Sequence, residues 1–304
     1  MSTPLPDLIA RVETEYRHCR LCPHACGINR LTQDPAPGAF CRLGETAYVY
    51  KELLSLGEEA VISPTWLLDL GGCSLRCLFC TEWAHVVEPR AAPAVPLDPQ
   101  WFRQRLALRR QQGARTVSFV GGDPTVSLLG VLRALQAVPA DEMLPVVWNA
   151  NGLLGDVARE VLAQVVDTWV LDVKFGNSAC AKRISGEHGF DAAEQPWHTL
   201  RWLLRPSAHN ERVPQVVVRH LVMPGHVDCC TLPVLNGLAV LQTGLAGDRL
   251  AVNLMTLFLP AGPAAKRIPA TPELSRLATK DEVARAVGHA RATLGLWGLD
   301  GDVR

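Results

Sequence analysis

Apolar runs recur along the chain after residue 64, at 66–70, 116–120, 145–149, 168–173, 215–222 and 250–258. They are nearly continuous and rich in Val, Leu and Ile, the pattern of parallel strands covered on both faces. Between them lie stretches with helical spacing, near 99–112, 126–138, 157–166, 196–204 and 232–243, and a last one near 280–294. Asp98 followed by Pro99 is a helix start, a capping residue before a proline in the first turn. Six alternations of strand and helix imply a parallel sheet with helices outside it. Eight would close the usual barrel. The pattern therefore predicts an α/β fold, a partial (β/α)6 TIM barrel that stays open. Residues 1–60 do not follow this rhythm and form a cysteine-rich N-terminal extension. The expected division is 1–60 for that metal-binding region, 61–260 for the barrel core and 261–304 for a C-terminal helical extension. The proline-rich stretches 88–99 and 259–273 read as loops.

Composition changes this picture little. The chain has 304 residues, with 30 Lys+Arg against 30 Asp+Glu, so its formal net charge is zero. That balance argues against a broad electrostatic pull toward nucleic acid or an anionic membrane surface. The most apolar region, 232–265, is interrupted by Gln242, Asp248 and Arg249, and predicts helix then strand rather than a membrane span. The N-terminal MSTPLPDLIA lacks the basic segment and apolar core of a secretory signal, so a cytoplasmic protein is expected. In a reducing compartment, ten cysteines point to metal ligands or core residues rather than disulfides.

The cysteines fall into sets. Cys73, Cys77 and Cys80, spaced C-x3-C-x2-C, directly follow the first predicted strand. Ligand sites of parallel α/β folds gather at the carboxyl ends of strands. Three thiolates can hold three irons of a cubane cluster and leave the fourth iron open. Zinc, or three buried core cysteines, are the competing readings. Upstream, Cys19, Cys22, Cys26 and Cys41 have C-x2-C-x3-C-x14-C spacing, enough to close a site around zinc or a second 4Fe–4S cluster. His18 and His24 flank this set as substitute ligands. Cys180, Cys229 and Cys230 remain, with His226 nearby; a catalytic thiol is one reading and simple burial another.

The stretch C-S-L-R-C-L-F-C, residues 73–80, resembles the cluster motif of radical S-adenosylmethionine (SAM) enzymes, with Phe79 as the aromatic residue before the last cysteine. The next strand ends in GGDPT, residues 121–125, similar to that family's Gly-Gly-Glu-Pro motif, with Asp123 in the glutamate position. Further on come WNANG, LDVKFG and VVVRHLVMPG. These look like the activating enzymes of glycyl radical enzymes, notably the pyruvate formate-lyase activase branch. The resemblance implies a partial (β/α)6 barrel with a 4Fe–4S cluster on Cys73, Cys77 and Cys80 whose free iron chelates SAM. Reductive cleavage of SAM would give methionine and a 5′-deoxyadenosyl radical that abstracts hydrogen from a substrate. It also implies that Phe79, Gly121, Gly122, Asp123, Pro124, Asn151, Asp172, Lys174 and Arg219 line the cofactor pocket. The electron would come from a flavodoxin- or ferredoxin-type reductant.

The physics of these residue types agrees with the implied roles. Asp172 and Lys174 are two apart on a strand and share one face. An arginine fork suits a carboxylate, and a carboxylate suits ribose hydroxyls or an amino group. An ion pair with a purely structural role is the bland reading of Asp172 and Lys174. His220 points to the opposite face from Arg219 and reads as packed core. The branch has a histidine after its sixth strand; here NLMTLFLPAGPAA has none, and Asn253 and Thr256 are the nearest polar residues. The N-terminal cysteines resemble a Cys-x2-Cys-Pro module found in a sub-branch of activase-like proteins. The substrate is accordingly open: a glycyl radical enzyme, or a peptide or small metabolite that is methylated, cross-linked or rearranged. The reading from another class is a binding or scaffold protein with zinc in both cysteine sets.

Overall fold

The run at 66–70 is buried on both faces, as a covered parallel strand must be: β2 (Thr65–Leu70) leaves only Leu67 half-buried. The structure is a computed structural model that describes residues 3–205, 215–246, 249–266 and 268–294. Its contacts divide the chain into two units, Met1–Ser74 with Ala84–Thr168, and Leu75–Trp83 with Trp169–Arg304, each considered over its described residues.

The first unit begins with helix α1 (Leu5–Tyr16), then β1 (Tyr48–Ser55) and β2. A short helix α2 (Trp83–Val87) and a two-residue strand β3 (Val95–Pro96) follow. Then come α3 (Pro99–Gln111), β4 (Thr116–Gly121), α4 (Leu128–Gln136), β5 (Val146–Ala150) and α5 (Asp156–Val165). Its strand order is β3-β1-β2-β4-β5. The β2–β4 and β4–β5 pairs are parallel, whereas β1 pairs antiparallel with both β2 and β3. Asp98 caps α3 by accepting from the Trp101 amide at 2.7 Å, as its position before Pro99 predicts. A file of rings fills the core: Trp66 against Phe102, Phe102 against Phe119, and Phe119 against Trp148, with centroids 5.1, 5.9 and 5.8 Å apart. All four are fully buried and carry much of the apolar area of this unit. Helix α1 packs on α4 and α5, so the N-terminal segment is part of this core.

In the second unit β6 (Thr168–Asp172), all but its first residue, leads to α6 (Ser178–Ser185) and α7 (Gln195–Leu204). The chain continues through β7 (Gln215–Leu221), α8 (Leu232–Leu241), β8 (Leu250–Met255) and α9 (Lys280–Leu294). Strands β7 and β8 are parallel, and α8 packs against α9. The six expected strand–helix repeats are therefore present in an α/β fold of mostly parallel strands.

Several boundaries differ from the sequence pattern. The run 250–258 is a strand only to Met255, because β7 ends at Leu221, its partner in register. The stretch 126–138 opens as a tight turn over Pro124–Ser127 before α4 begins, because Asp123 accepts from the Thr125 amide at 2.9 Å. Strand β1 is not foreseen by the pattern: it lies in the region outside the strand–helix rhythm. Nor is β3, which sits in the stretch 88–99 expected to be loop.

Candidate functional site

The loop after β2 carries Cys73, and the loop after β4 carries GGDPT. Backbone lies directly on backbone here. The Gly122 amide donates to Leu70 O at 2.8 Å and the Asp123 amide to Gly72 O at 2.9 Å. A Cβ on Gly122 would fall 2.0 Å from Gly72 O, so only glycine permits this approach. Gly121 is held at φ +108, with no room for a Cβ against Leu70. The Gly-Gly pair is thus what brings the second loop against the start of the cysteine loop.

Asp123 is buried, and both carboxylate oxygens accept backbone amides, Thr125 on one and Asn151 on the other, each at 2.9 Å. It ties the end of β4 to the end of β5. Asn151 continues the chain of contacts: its side-chain amide donates to Ser74 Oγ at 2.9 Å and approaches Cys73 Sγ at 3.7 Å. Cys73, Asp123 and Asn151 therefore form one connected cluster at the carboxyl ends of three neighbouring strands. Pro124 is buried in the turn that follows.

In the second unit, Cys77 is buried, and burial pushes its thiol up to about 12, with Lys174 as the leading opposing charge. Burial also pushes Cys80 up. The Cys77–Cys80 turn is pinned at its backbone. Cys80 N donates to Cys77 O at 3.0 Å, Leu78 N to Ile184 O at 2.9 Å, and Ala264 N to Leu78 O at 2.8 Å. Phe79 packs at a tilt on Phe258, centroids 5.7 Å apart. Lys174 Nζ meets Asp172 Oδ2 at 2.6 Å, and both side chains are about a quarter exposed. Arg219 is half-buried and stands opposite Asn253 across the β7–β8 pair, so the two share a face. His220 is fully buried as expected, bonded through Nδ1 to Val173 O at 2.6 Å and through Nε2 to Thr231 Oγ1 at 3.0 Å. Burial drives its pKa down to about 4, so it is neutral at pH 7.

Cys19 and Cys41 lie beside a buried cation, and Cys22 feels the charges of Cys41, Cys19 and Cys26. The knuckle turns at Ala25 and Gly27, at φ +42 and +67, with Cys19 N donating to Ile28 O and Gly27 N to Cys19 O, both at 3.0 Å. Arg30 is 2% exposed. It donates to Leu43 O at 3.0 Å, Gly44 O at 2.7 Å and Val126 O at 2.6 Å, and lies 3.8 Å from Cys19 Sγ. Its guanidinium also stacks on Tyr16, 4.3 Å from the ring centroid. Burial opposes its charge, yet Cys41, Tyr16 and Cys19 outweigh burial and hold its pKa above the ordinary value. A cation this dry calls for anions beside it, which thiolates would supply if these cysteines held a metal. The module touches the start of the cysteine loop directly. His24 stacks on Phe40 at 3.8 Å and places Nε2 2.9 Å from Ser74 O, so that nitrogen is engaged rather than turned to the cysteines. A Cβ on Gly72 would meet Cys41 O at 3.0 Å. Sequence reasoning missed Arg30 because nothing local distinguishes it from a surface arginine.

Residues 68–235 match the model of the radical SAM superfamily. The chain belongs to that superfamily. It is 32% identical over 276 residues to the uncharacterized protein MJ0674 of Methanocaldococcus jannaschii, covering 90% of this chain and 74% of the relative. Among solved structures, it resembles HydG, a maturase of the [FeFe]-hydrogenase, at 12% identity with a TM-score of 0.50 over 75% of this chain and 49% of that one. It also resembles Streptococcus suis SuiB bound to its precursor peptide SuiA, at 14% identity with a TM-score of 0.47 over 75% and 46%. The chain thus spans about half the length of these two structures, and the likeness to HydG speaks to fold alone. Family membership implies a 4Fe–4S cluster and SAM. The glycine contact, the Asn151 bridge to Cys73 and the buried thiols fit that cofactor pair. Among the described residues, no helix is long and apolar enough to cross a membrane.

Proposed function

We propose that the chain is a radical SAM enzyme that abstracts hydrogen from a backbone glycine of a partner protein, as an activase of a glycyl radical enzyme does. The observation that carries the radical part is the Gly122 backbone laid on the cysteine loop at Gly72, in a chain whose C-x3-C-x2-C motif lies inside the family match. Cys73, Cys77 and Cys80 would hold a 4Fe–4S cluster with one free iron, which supplies one electron to SAM and yields methionine and a 5′-deoxyadenosyl radical. Gly121 and Gly122 would offer backbone to the SAM amino group. Asn151 fixes Ser74 and Cys73 in place. Asp123, with both oxygens committed to backbone amides, shapes the loop rather than reaching for the cofactor. Asp172 with Lys174, and Arg219 beside Asn253, provide polar and charged groups for the ribose and the SAM carboxylate, while Phe79 and Pro124 supply apolar surface. The activase reading rests on the Asn-Gly, Asp-x-Lys and strand-borne arginine together. A peptide or metabolite substrate is the second reading, favoured by the absence of a histidine in 253–265.

Cys19, Cys22, Cys26 and Cys41 would hold a second 4Fe–4S cluster or zinc, balanced by Arg30. The module lies against Gly72 and Ser74, next to Cys73, which suits an iron–sulfur occupant that passes an electron from a flavodoxin- or ferredoxin-type donor. Ten cysteines, read as metal ligands or core residues, support a reducing, cytoplasmic compartment.

The test is electron paramagnetic resonance of the reduced, iron-loaded protein. Adding SAM should change the cluster spectrum in the wild type and not in Cys80→Ala. A candidate glycyl radical partner should then gain a protein-radical signal split by the glycine α-hydrogen. A SAM-insensitive spectrum would sink the radical reading, and a SAM response without partner radical would remove only the activase reading.

A further inference from the structure

The second unit holds a group of residues that the proposed SAM site does not use. Cys180 stands in the first turn of α6; His226, Cys229 and Cys230 stand in the turn between β7 and α8. Three sulfurs and one ring nitrogen lie within 4.8 Å of one another. Cys180 Sγ is 3.4 Å from Cys229 Sγ and 3.6 Å from His226 Nδ1, which is 3.3 Å from Cys229 Sγ. Ligands at about 2.0–2.3 Å from a tetrahedral zinc ion stand under about 4 Å from each other, so the group has mononuclear spacing. A cubane cluster spreads its cysteines further apart.

We propose that Cys180, His226, Cys229 and Cys230 form a closed zinc site, three thiolates and one imidazole, that staples α6 to the start of α8. Four observations independent of spacing support it. His226 Nε2 is 3.0 Å from Glu273 Oε1, the carboxylate–histidine partnership of zinc sites. With the Nε2 proton donated to Glu273, the Nδ1 lone pair would face the sulfurs 3.3 and 3.6 Å away. Asn177 donates to Cys180 Sγ at 3.4 Å and to Cys229 O at 2.7 Å, fixing both cysteines from outside. Gly176 lies so close to Cys229 and Cys230 that a Cβ there would meet their backbone at 2.6 Å. The turn carrying the two cysteines is a wide π turn, Val227–Thr231, which directs Cys230 inward, fully buried. Such wide turns recur at functional sites.

Protons balance. Zn²⁺ replaces three thiol protons, which leave to solvent, and binds neutral imidazole, for a net charge of −1. Glu273 adds a second negative charge, and Arg183, 3.1 Å from Glu273 Oε1 and 3.2 Å from His226 Nε2, offsets one of the two. No position is left for water or substrate, so the role is structural rather than catalytic.

The experiment counts zinc and iron in the full chain, iron-loaded anaerobically after growth with zinc. The wild type is compared with Cys229→Ser, whose side chain is only half-buried, and with Cys180→Ser. The expected result is one zinc equivalent fewer in each variant with iron unchanged. The zinc edge and its extended X-ray absorption fine structure in the wild type should also show a nitrogen ligand at about 2.0 Å beside sulfurs at about 2.3 Å. Equal zinc in all three proteins, a zinc edge with sulfur ligands only, or a Cys180–Cys229 disulfide in wild-type peptides would each overturn the site. If a variant loses iron along with zinc, the wild-type edge decides alone. This outcome is separate from SAM cleavage, which can succeed or fail without it.

Discussion

The N-terminal cysteine module and the Cys77–Cys80 turn are built on opposite electrostatic plans. Around Cys19 and Cys41 the compensating cation is Arg30, dry, stacked on Tyr16 and fixed by three carbonyls. For Cys77 the leading cation is Lys174, about a quarter exposed and already paired with Asp172. A buried, fully bonded arginine cannot move or lose its charge, yet burial outweighs it at Cys41, whose thiol is pushed up. A lysine that keeps part of its surface in water can exchange partners as charge arrives and leaves. The difference is between a cation fixed in the fold and one that keeps part of its surface in water, as the proposed co-substrate site would need.

The largest expected effect tests the fixed cation. Arg30→Met leaves three buried carbonyls without their donor and removes the cation beside Cys19 and Cys41; urea unfolding of the iron-loaded protein should show a loss of about 3–5 kcal/mol. Arg30→Lys should not restore it, since one ammonium cannot serve that fork. An unchanged midpoint would erase the distinction between the regions. Next, Gly122→Ala should push the GGDPT loop off Gly72 and lower the rate of 5′-deoxyadenosine formation by about 10²-fold with iron content kept. Iron loss instead would place the glycine in cluster assembly.

A smaller effect is a pH dependence. His220 fastens Val173, the residue between Asp172 and Lys174. Its folded pKa of about 4 lies below the unfolded value, so its neutral form is favoured on folding. That stability is fully present above about pH 6.5 and is lost as pH falls toward 4. Relative to His220→Gln, the wild type should lose about 2 kcal/mol between about pH 7.5 and 5. A constant difference would show that the ring is charged or solvated in the fold. The smallest effect is Asn151→Ala, which deprives Ser74 of its donor and should slow SAM cleavage about tenfold, equivalent to one hydrogen bond.

What the sequence shows and hides follows from the range of the contacts. C-x3-C-x2-C and GGDPT are legible because their chemistry is local: spacing sets the thiols, and a glycine pair marks close backbone approach. Most of the strand runs are legible because both faces are buried, as in β2 and β6, which leaves continuous apolar stretches; β8 buries alternate residues yet is apolar enough to stand out. Strand β1, YVYKELLS, is not legible, since it is mostly half-buried, carries Lys51 and Glu52, and shifts register between Val49 and Lys51. Arg30 and the Cys180–His226–Cys229–Cys230 group are set by contacts up to 96 residues apart in sequence. The pair Cys229–Cys230 three residues after His226 is the available signal for the latter. His24 stands in the sequence as a spare ligand, and the structure gives its Nε2 to Ser74 O instead.

The central claim is radical initiation at the Cys73–Cys80 loop. The most direct measurement assays methionine and 5′-deoxyadenosine together after anaerobic reduction of the iron-loaded protein with SAM, beside Cys77→Ala. The account predicts equal amounts of both products from the wild type and neither from the variant. Failure of a fully loaded, reduced wild type to form 5′-deoxyadenosine, with or without candidate protein substrates, would contradict it.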